Sequence, residues 1–462
     1  MVIEAYRFYE MYRALLADGF LRLNDRAASM RFFPDRFGLQ GLRIIEIELN
    51  LIYDVFHTKL SLLQRKQAFT RLLCFISVTT SLLIFRTKDT SMYHNVDVII
   101  TFVLLEGAIM LDICSVIMYV MSDWWIIISA DATQLQHYYC QSLMLLVFKV
   151  SRWARRPHRR RWSEYISKYN ILKRCFRKPP SIFNFRIFFR IKQIREILIG
   201  FLYVEGQKVD EQLMKFVMKE LRNKASLARE MELAKEVCSA RGNLVLEDDY
   251  LLASECLIPW TVAIDYDESL LIWHLATDIC FWTDVASTSD HRRFSKALSD
   301  YLSYLLLRQQ KLVSSVVGMI DTRFDETLCC QTASVQDELP SQKEESKFFQ
   351  RFCQKMLEVK VDVQPVTIAK DSDRSKSVLF DACRLAKQLE MFGERQWEIT
   401  SKVWVELLCY AAVRCAPRSH IAQLSQGGEL ITLVWLYMAH LGLGDRFQQQ
   451  KGFEFTKLII QK

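Results

Sequence analysis

The sequence predicts an all-α protein: a transmembrane helical hairpin, cytosolic helical regions around it, and a small C-terminal helical domain. Three observations point there. Glycine and proline number only 14 and 8 in 462 residues, about half the usual share or less, which leaves few turns. Hydrophobic residues make up 51%, enough for a large core, and two of the apolar stretches approach the length of a bilayer crossing. Sixteen Lys and Arg stand between Lys149 and Arg195 against the single acid Glu164, in a chain of net charge +8, so the remainder is net acidic. The 13 cysteines are scattered singly without a C-x-x-C, which reads as reduced thiols rather than a disulfide framework.

The first twenty residues carry charges throughout and hold no apolar core of the kind a secretory signal needs. Residues 1–66 read as cytosolic helices, two of them, broken near Phe33-Pro34-Asp35 and Gly38. In the second, Glu46, Asn50, Asp54 and Thr58 recur every four residues and share one face, read as a solvated or helix-pairing face in preference to a cation site.

Residues 67–121 form the hairpin, with spans at 68–85 and 96–120 and a polar loop from Arg86 to Asn95. The first span carries Arg71 near its end, where its side chain reaches the headgroups. The second holds Glu106 and Asp112. A central carboxylate costs about 2.5–3.5 kcal/mol on insertion scales, and each Ile, Leu, Val or Phe returns about 0.3–0.6, so the segment still inserts. The alternative is that both stretches are core helices of a soluble bundle. Lys59, Arg65 and Lys66 before the hairpin and the basic run after it put both flanks in the cytosol by the positive-inside rule.

Residues 122–200 read as an interfacial helix and a basic juxtamembrane region, with Trp124 and Trp125 at the membrane exit as an aromatic belt. Arg152, Arg155, Arg156, Arg159, Arg160 and Arg161 are the candidate lipid contacts. A basic run interleaved with aromatics also suits nucleic acid or a bare topology signal. Its closeness to a span favours anionic headgroups, at about 1 kcal/mol per basic side chain near the surface, and no nucleic-acid partner is expected.

Residues 201–326 are helical, including an amphipathic stretch near 209–237 and the apolar SLLIWHLATDICFWTD, where His274 and Asp278 lie one turn apart and read as a satisfied hydrogen bond. Residues 327–376 read as a linker with one short helix near Phe348 to Leu357, and 377–450 as a compact three-helix domain.

Read together, several blocks resemble a known family. They are RIIEIELNLIYDVFHTKL, the hairpin ending MSDWW, LLIWHLATDICF, HRRFSKALSDYLSYLLL, and above all SVLFDACRLAKQLE with WVELLCYAAVRC and GGELITLVWLYMAHLGL. The chain resembles plant membrane proteins carrying domains of unknown function 4220 and 594. The resemblance implies a multi-pass membrane protein and, because members carry further upstream helices, a chain shortened at its N-terminus. It implies no activity and supplies no catalytic residue.

The residues themselves carry no H-E-x-x-H, G-x-S-x-G, Walker, G-x-G-x-x-G or kinase signature, so no catalytic residue, cofactor or metal is expected, and the chain does not read as an enzyme. Cys415 with His420 and His440 could make a thiol–imidazole pair or part of a zinc site, but the C-x4-H spacing fits no standard finger and a structural role is the better reading. Gly427-Gly428-Glu429 reads as a tight turn placing Glu429 in a first helical turn, and Trp397, Trp404 and Trp435 as core. Glu106 and Asp112 are six residues apart, about 240° around a helix, so they do not share a face. The function expected is membrane-anchored interaction or scaffolding, with lipid contact through the basic region and protein partners through the C-terminal domain. The alternative is a transporter or channel component built on Glu106 and Asp112.

Overall fold

The computed structural model describes residues 1–17, 19–21, 23–33, 39–58, 65–88, 94–127, 162, 164–176, 202–228, 231–248, 260–315, 345–358 and 374–444. These residues fall into two compact units: Met1–Arg13 with Gln40–Trp162, and Ala14–Leu39 with Ser163–Lys462. The architecture is all-α, as the sequence predicts, with one two-stranded ribbon among the described residues.

The N-terminal region contains three helices rather than two: α1 (Val2–Leu16), α2 (Leu23–Phe32) and α3 (Leu39–His57). The extra break falls at Gly19, whose amide bonds Ala14 O at 2.8 Å and where a Cβ would sit 2.8 Å from that same oxygen. In the first unit, the polar stripe of α3 faces inward. Glu46 and Asp54 are buried, and Asp54 accepts the Trp124 indole N–H at 3.2 Å. Trp124 is therefore buried, edge-on to Tyr6, instead of sitting in an aromatic belt.

The hairpin consists of α4 (Arg65–Thr87) and α5 (Asn95–Met121). At 1.5 Å per residue, α5 is about 40 Å long. Phe75, Val78, Thr79, Leu82 and Phe85 of α4 are half-buried at helical spacing, and Phe85 meets Phe102 edge-on at 5.0 Å. The remaining faces are apolar and uncovered: Leu104 is 67% exposed and Leu111 73%. Of the two expected spans, one helix among the described residues is long and apolar enough to cross a membrane, Asn95–Met118, with a mean hydropathy of 2.1. The other described apolar run, Leu73–Thr87, is shorter because polar residues open α4 and Ser77, Thr79, Thr80 and Ser81 dilute its middle.

In the second unit, β1 (Tyr165–Tyr169) pairs antiparallel with β2 (Val204–Lys208), and α6 (Ile171–Phe176) lies between them in the chain. Then come α7 (Glu211–Leu227), α8 (Met231–Ser239), α9 (Asn243–Asp248) and α10 (Trp260–Ala263). The amphipathic stretch near 209–237 is thus two helices. Asp210 caps the first, its carboxylate accepting from Gln212 N.

The core is built on α11 (Tyr266–Thr283) and α12 (Asp290–Arg308), the latter capped by Ser289. Around them pack α13 (Glu345–Glu358), α14 (Arg374–Glu390) and α15 (Arg395–Arg414); α16 (Pro417–Leu424) follows in the chain, and α17 (Leu430–His440) packs on α15. Pro417 opens α16 in the first turn, where its missing N–H costs nothing. Nearly all of α11 is buried because α12, α13 and α14 cover it from three directions. Trp397 and Trp404 lie fully inside; their indole N–H groups donate to Asp284 at 2.7 Å and Thr277 at 3.1 Å. The helix expected near Phe348 to Leu357 is α13, and its Phe349 stacks on Trp282 at 5.2 Å.

Candidate functional site

The intramembrane carboxylates expected from the sequence lie on α5. Glu106 faces outward and pairs with Arg86 at 3.5 Å, while Asp112 is half-buried on the same helix. Arg86 belongs to the last turn of α4, so the acid in the middle of the apolar helix takes a cation from the mouth of the hairpin loop. The two carboxylates diverge, as a separation of 240° requires. The candidate lipid contacts Arg152, Arg155, Arg156, Arg159, Arg160 and Arg161 lie outside the described residues.

A second constellation, which the sequence reading left out, is buried in the second unit. Lys296 on α12 donates to Asp278 on α11 and to Asp300 one turn further along α12 at 2.7 Å. Asn170, at the end of β1, donates to the same two carboxylates at 2.6 and 3.1 Å. Although burial opposes ionisation of Lys296 and of Asp300, the two carboxylates hold the Lys296 ammonium well above its usual pKa, and Lys296 pulls Asp300 below the carboxylate range.

His274 does not bond to Asp278. Its Nδ1 shares a hydrogen bond with Ser299 at 2.8 Å and its Nε2 accepts from Ile171 N at 3.4 Å; burial lowers its pKa, so the ring is neutral. The i,i+4 spacing showed a shared face but not the better partners, Lys296 and Asn170, that lie 18 and 108 residues from Asp278. A second buried pair, Lys224 with Glu406, joins α7 to α15, and the same carboxylate accepts Gly242 N at 2.8 Å.

In the C-terminal region His420 is fully buried. Its two ring nitrogens bond Thr432 Oγ1 at 3.2 Å and Ala412 O at 3.1 Å, and its ring stacks on Trp435 at 4.6 Å. Burial pushes its pKa down to about 4 and the Cys415 thiol up to about 12, the opposite of what an activated thiol–imidazole pair needs. His440 bonds Ser29. Glu429 is the N-cap residue of α17 and is buried, which pushes its carboxyl up to about 7 despite hydrogen bonds from Tyr301 and Gln423. The turn before it has Gly427 and Gly428 at φ of +104° and +77°, a region that disfavours side chains.

Together these features define an all-α protein with, among the described residues, one helix of membrane-spanning length and a large helical unit held by buried charge pairs. Residues 1–175 match the family model described as a domain of unknown function, DUF4220, and residues 390–443 match DUF594, described as a protein of unknown function. The chain carries both domains, as its resemblance implied. No curated protein and no solved structure matches significantly. Both matched segments contribute to the second unit, residues 14–39 and 163–175 from the first and all of 390–443 from the second.

Proposed function

We propose that the chain is a membrane-anchored interaction protein, held by the hairpin, with both termini cytosolic and anionic lipid headgroups gripped by the basic region after α5. The observation that carries this reading is α5, whose apolar stretch Asn95–Met118 has none of its most apolar residues buried. Soluble proteins rarely expose contiguous apolar patches beyond a few hundred Å², whereas hydrocarbon covers such a face at no cost. The Arg86–Glu106 pair supports it, because an acid at membrane depth needs a cation. A mostly helical second unit without a recognised catalytic motif suits docking of protein partners. Carbonate extraction of the expressed chain, combined with protease protection of a C-terminal tag, tests the proposal. Resistance to carbonate with a digestible tag supports it, and release into the carbonate supernatant overturns it.

A further inference from the structure

The two carboxylates of α5 differ in their surroundings. Glu106 has Arg86 at 3.5 Å. Asp112 makes no hydrogen bond or ion pair among the described residues. Nor is it at an end of the span: at 1.5 Å per residue it stands about 9 Å inside Met118 and about 25 Å from Asn95. Lys and Arg reach headgroups over such a distance on their long stems, but an Asp side chain is too short.

Phe102, Leu105, Ile109 and Asp112 are all half-buried and recur at helical spacing. Phe102 meets Phe85 of α4, so Asp112 lies in the line of the hairpin seam, with Leu111, Ile113 and Val116 uncovered around it. Arg86 is committed to Glu106. Arg71 is the α4 cation nearest in level. It lies about 21 Å along α4 from Phe85, whereas Asp112 lies about 15 Å along α5 from Phe102, so Arg71 stands about 6 Å nearer the open end of the hairpin and the headgroups.

We propose that the Asp112 face of α5 binds a transmembrane helix of a partner protein that carries a Lys or Arg at the depth of Asp112. The inference rests on the membrane-anchored reading above. A carboxylate in hydrocarbon is stabilised by a cation in the same layer, and charge complementarity therefore sets what the incoming helix must carry. Its apolar side chains would pack on Leu111, Ile113 and Val116, because close packing and polar contacts are what join helices in lipid. Two copies of this chain joined symmetrically through the same face would set Asp112 against Asp112, so a different chain is favoured.

The test reconstitutes the full chain into phosphatidylcholine vesicles with a synthetic leucine–alanine peptide of about 23 residues. The peptide carries one arginine about 9 Å from one end, with a photoreactive leucine beside it. A peptide with leucine in place of the arginine is the control. Flotation first reports whether the chain is in the bilayer; a chain that does not float overturns the anchored reading and this proposal with it. In a chain that floats, irradiation should crosslink the arginine peptide at least about tenfold more than the leucine peptide, with the adduct on α5 near Asp112. Asp112→Asn should erase that preference, and Asp112→Lys should transfer it to a peptide with aspartate in place of the arginine. Equal capture of the arginine and leucine peptides, or a preference that survives Asp112→Asn in a chain that floats, overturns the proposal and leaves the anchor standing. So does a dimer of the chain that forms without peptide and is dispersed by Asp112→Asn, which assigns the face to a second copy.

Discussion

Ser29 and His440 are 411 residues apart in the chain, and the hydroxyl of one shares a hydrogen bond of 2.8 Å with Nδ1 of the other. Phe33 stacks on the same imidazole at 4.4 Å, and Arg26 donates to Gly442 O at 3.3 Å. A helix from the segment matching DUF4220 is therefore built into the end of the segment matching DUF594.

That docking depends on Gly442. Its φ is +74°, and a Cβ there would sit 2.7 Å from Arg26 Nε and Met30 Sδ. Gly442→Ala should cost about 1–3 kcal/mol, combining left-handed strain with displacement of Arg26. Gly393, at φ +55° with open space around it, should cost only the strain when changed to Ala. Denaturant unfolding compares the two, and hydrogen exchange in α2 should rise only in the Gly442 variant.

Lys296→Met should destabilise the second unit by about 3–5 kcal/mol, since it strands Asp278 and Asp300 away from water. Adding Asp278→Asn and Asp300→Asn should recover much of that loss, because the two stranded charges go with it. Unfolding midpoints in urea measure both steps, and an equal cost in the single and triple variants would refute the charge argument.

Leu104→Glu with Leu111→Glu changes two of the most exposed side chains in the hairpin. If α5 crosses a membrane, each added acid costs about 2.5–3.5 kcal/mol of insertion, and the variant should appear in the soluble or degraded fraction. On a water-facing helix the same changes would be harmless or would improve solubility. Membrane fractionation of wild type and variant reads the difference directly.

Glu429 imposes a pH dependence. Its folded-state pKa is raised by burial from the ordinary 4.5 to about 7, so the folded state holds a proton that the unfolded state releases first. The carboxyl's contribution to stability is thus complete below about pH 4.5 and is lost as the pH rises through 7. Glu429→Gln should gain stability relative to wild type between pH 5 and 8, by up to about 3 kcal/mol. Equal unfolding midpoints at both pH values for the pair would refute it.

Much of the helical framework was legible in the sequence. The stretches 290–308 and 395–414 carry apolar residues at helical spacing, and 290–308 opens on a serine cap. The ribbon was not legible: YISKY and VEGQK are five residues each, separated by 34 residues, too far apart for a hairpin turn to link them. Neither were the partners of Asp54 and Asp278, since Trp124 and Asn170 reach them from 70 and 108 residues away.

The join between α2 and the C-terminal helix also constrains synthesis. Arg26 leaves the ribosome 416 residues before the Gly442 carbonyl it binds. At about 5–20 residues per second, that interval is about 20–80 s. Throughout it, Ser29 and Phe33, both buried in the finished fold, lack the His440 imidazole that they bond and stack on, so that face of α2 waits for the last helix to emerge. A nascent chain stalled or cut before α17 therefore displays an uncovered face near its own N-terminus, which marks it as unfinished to chaperones and proteases.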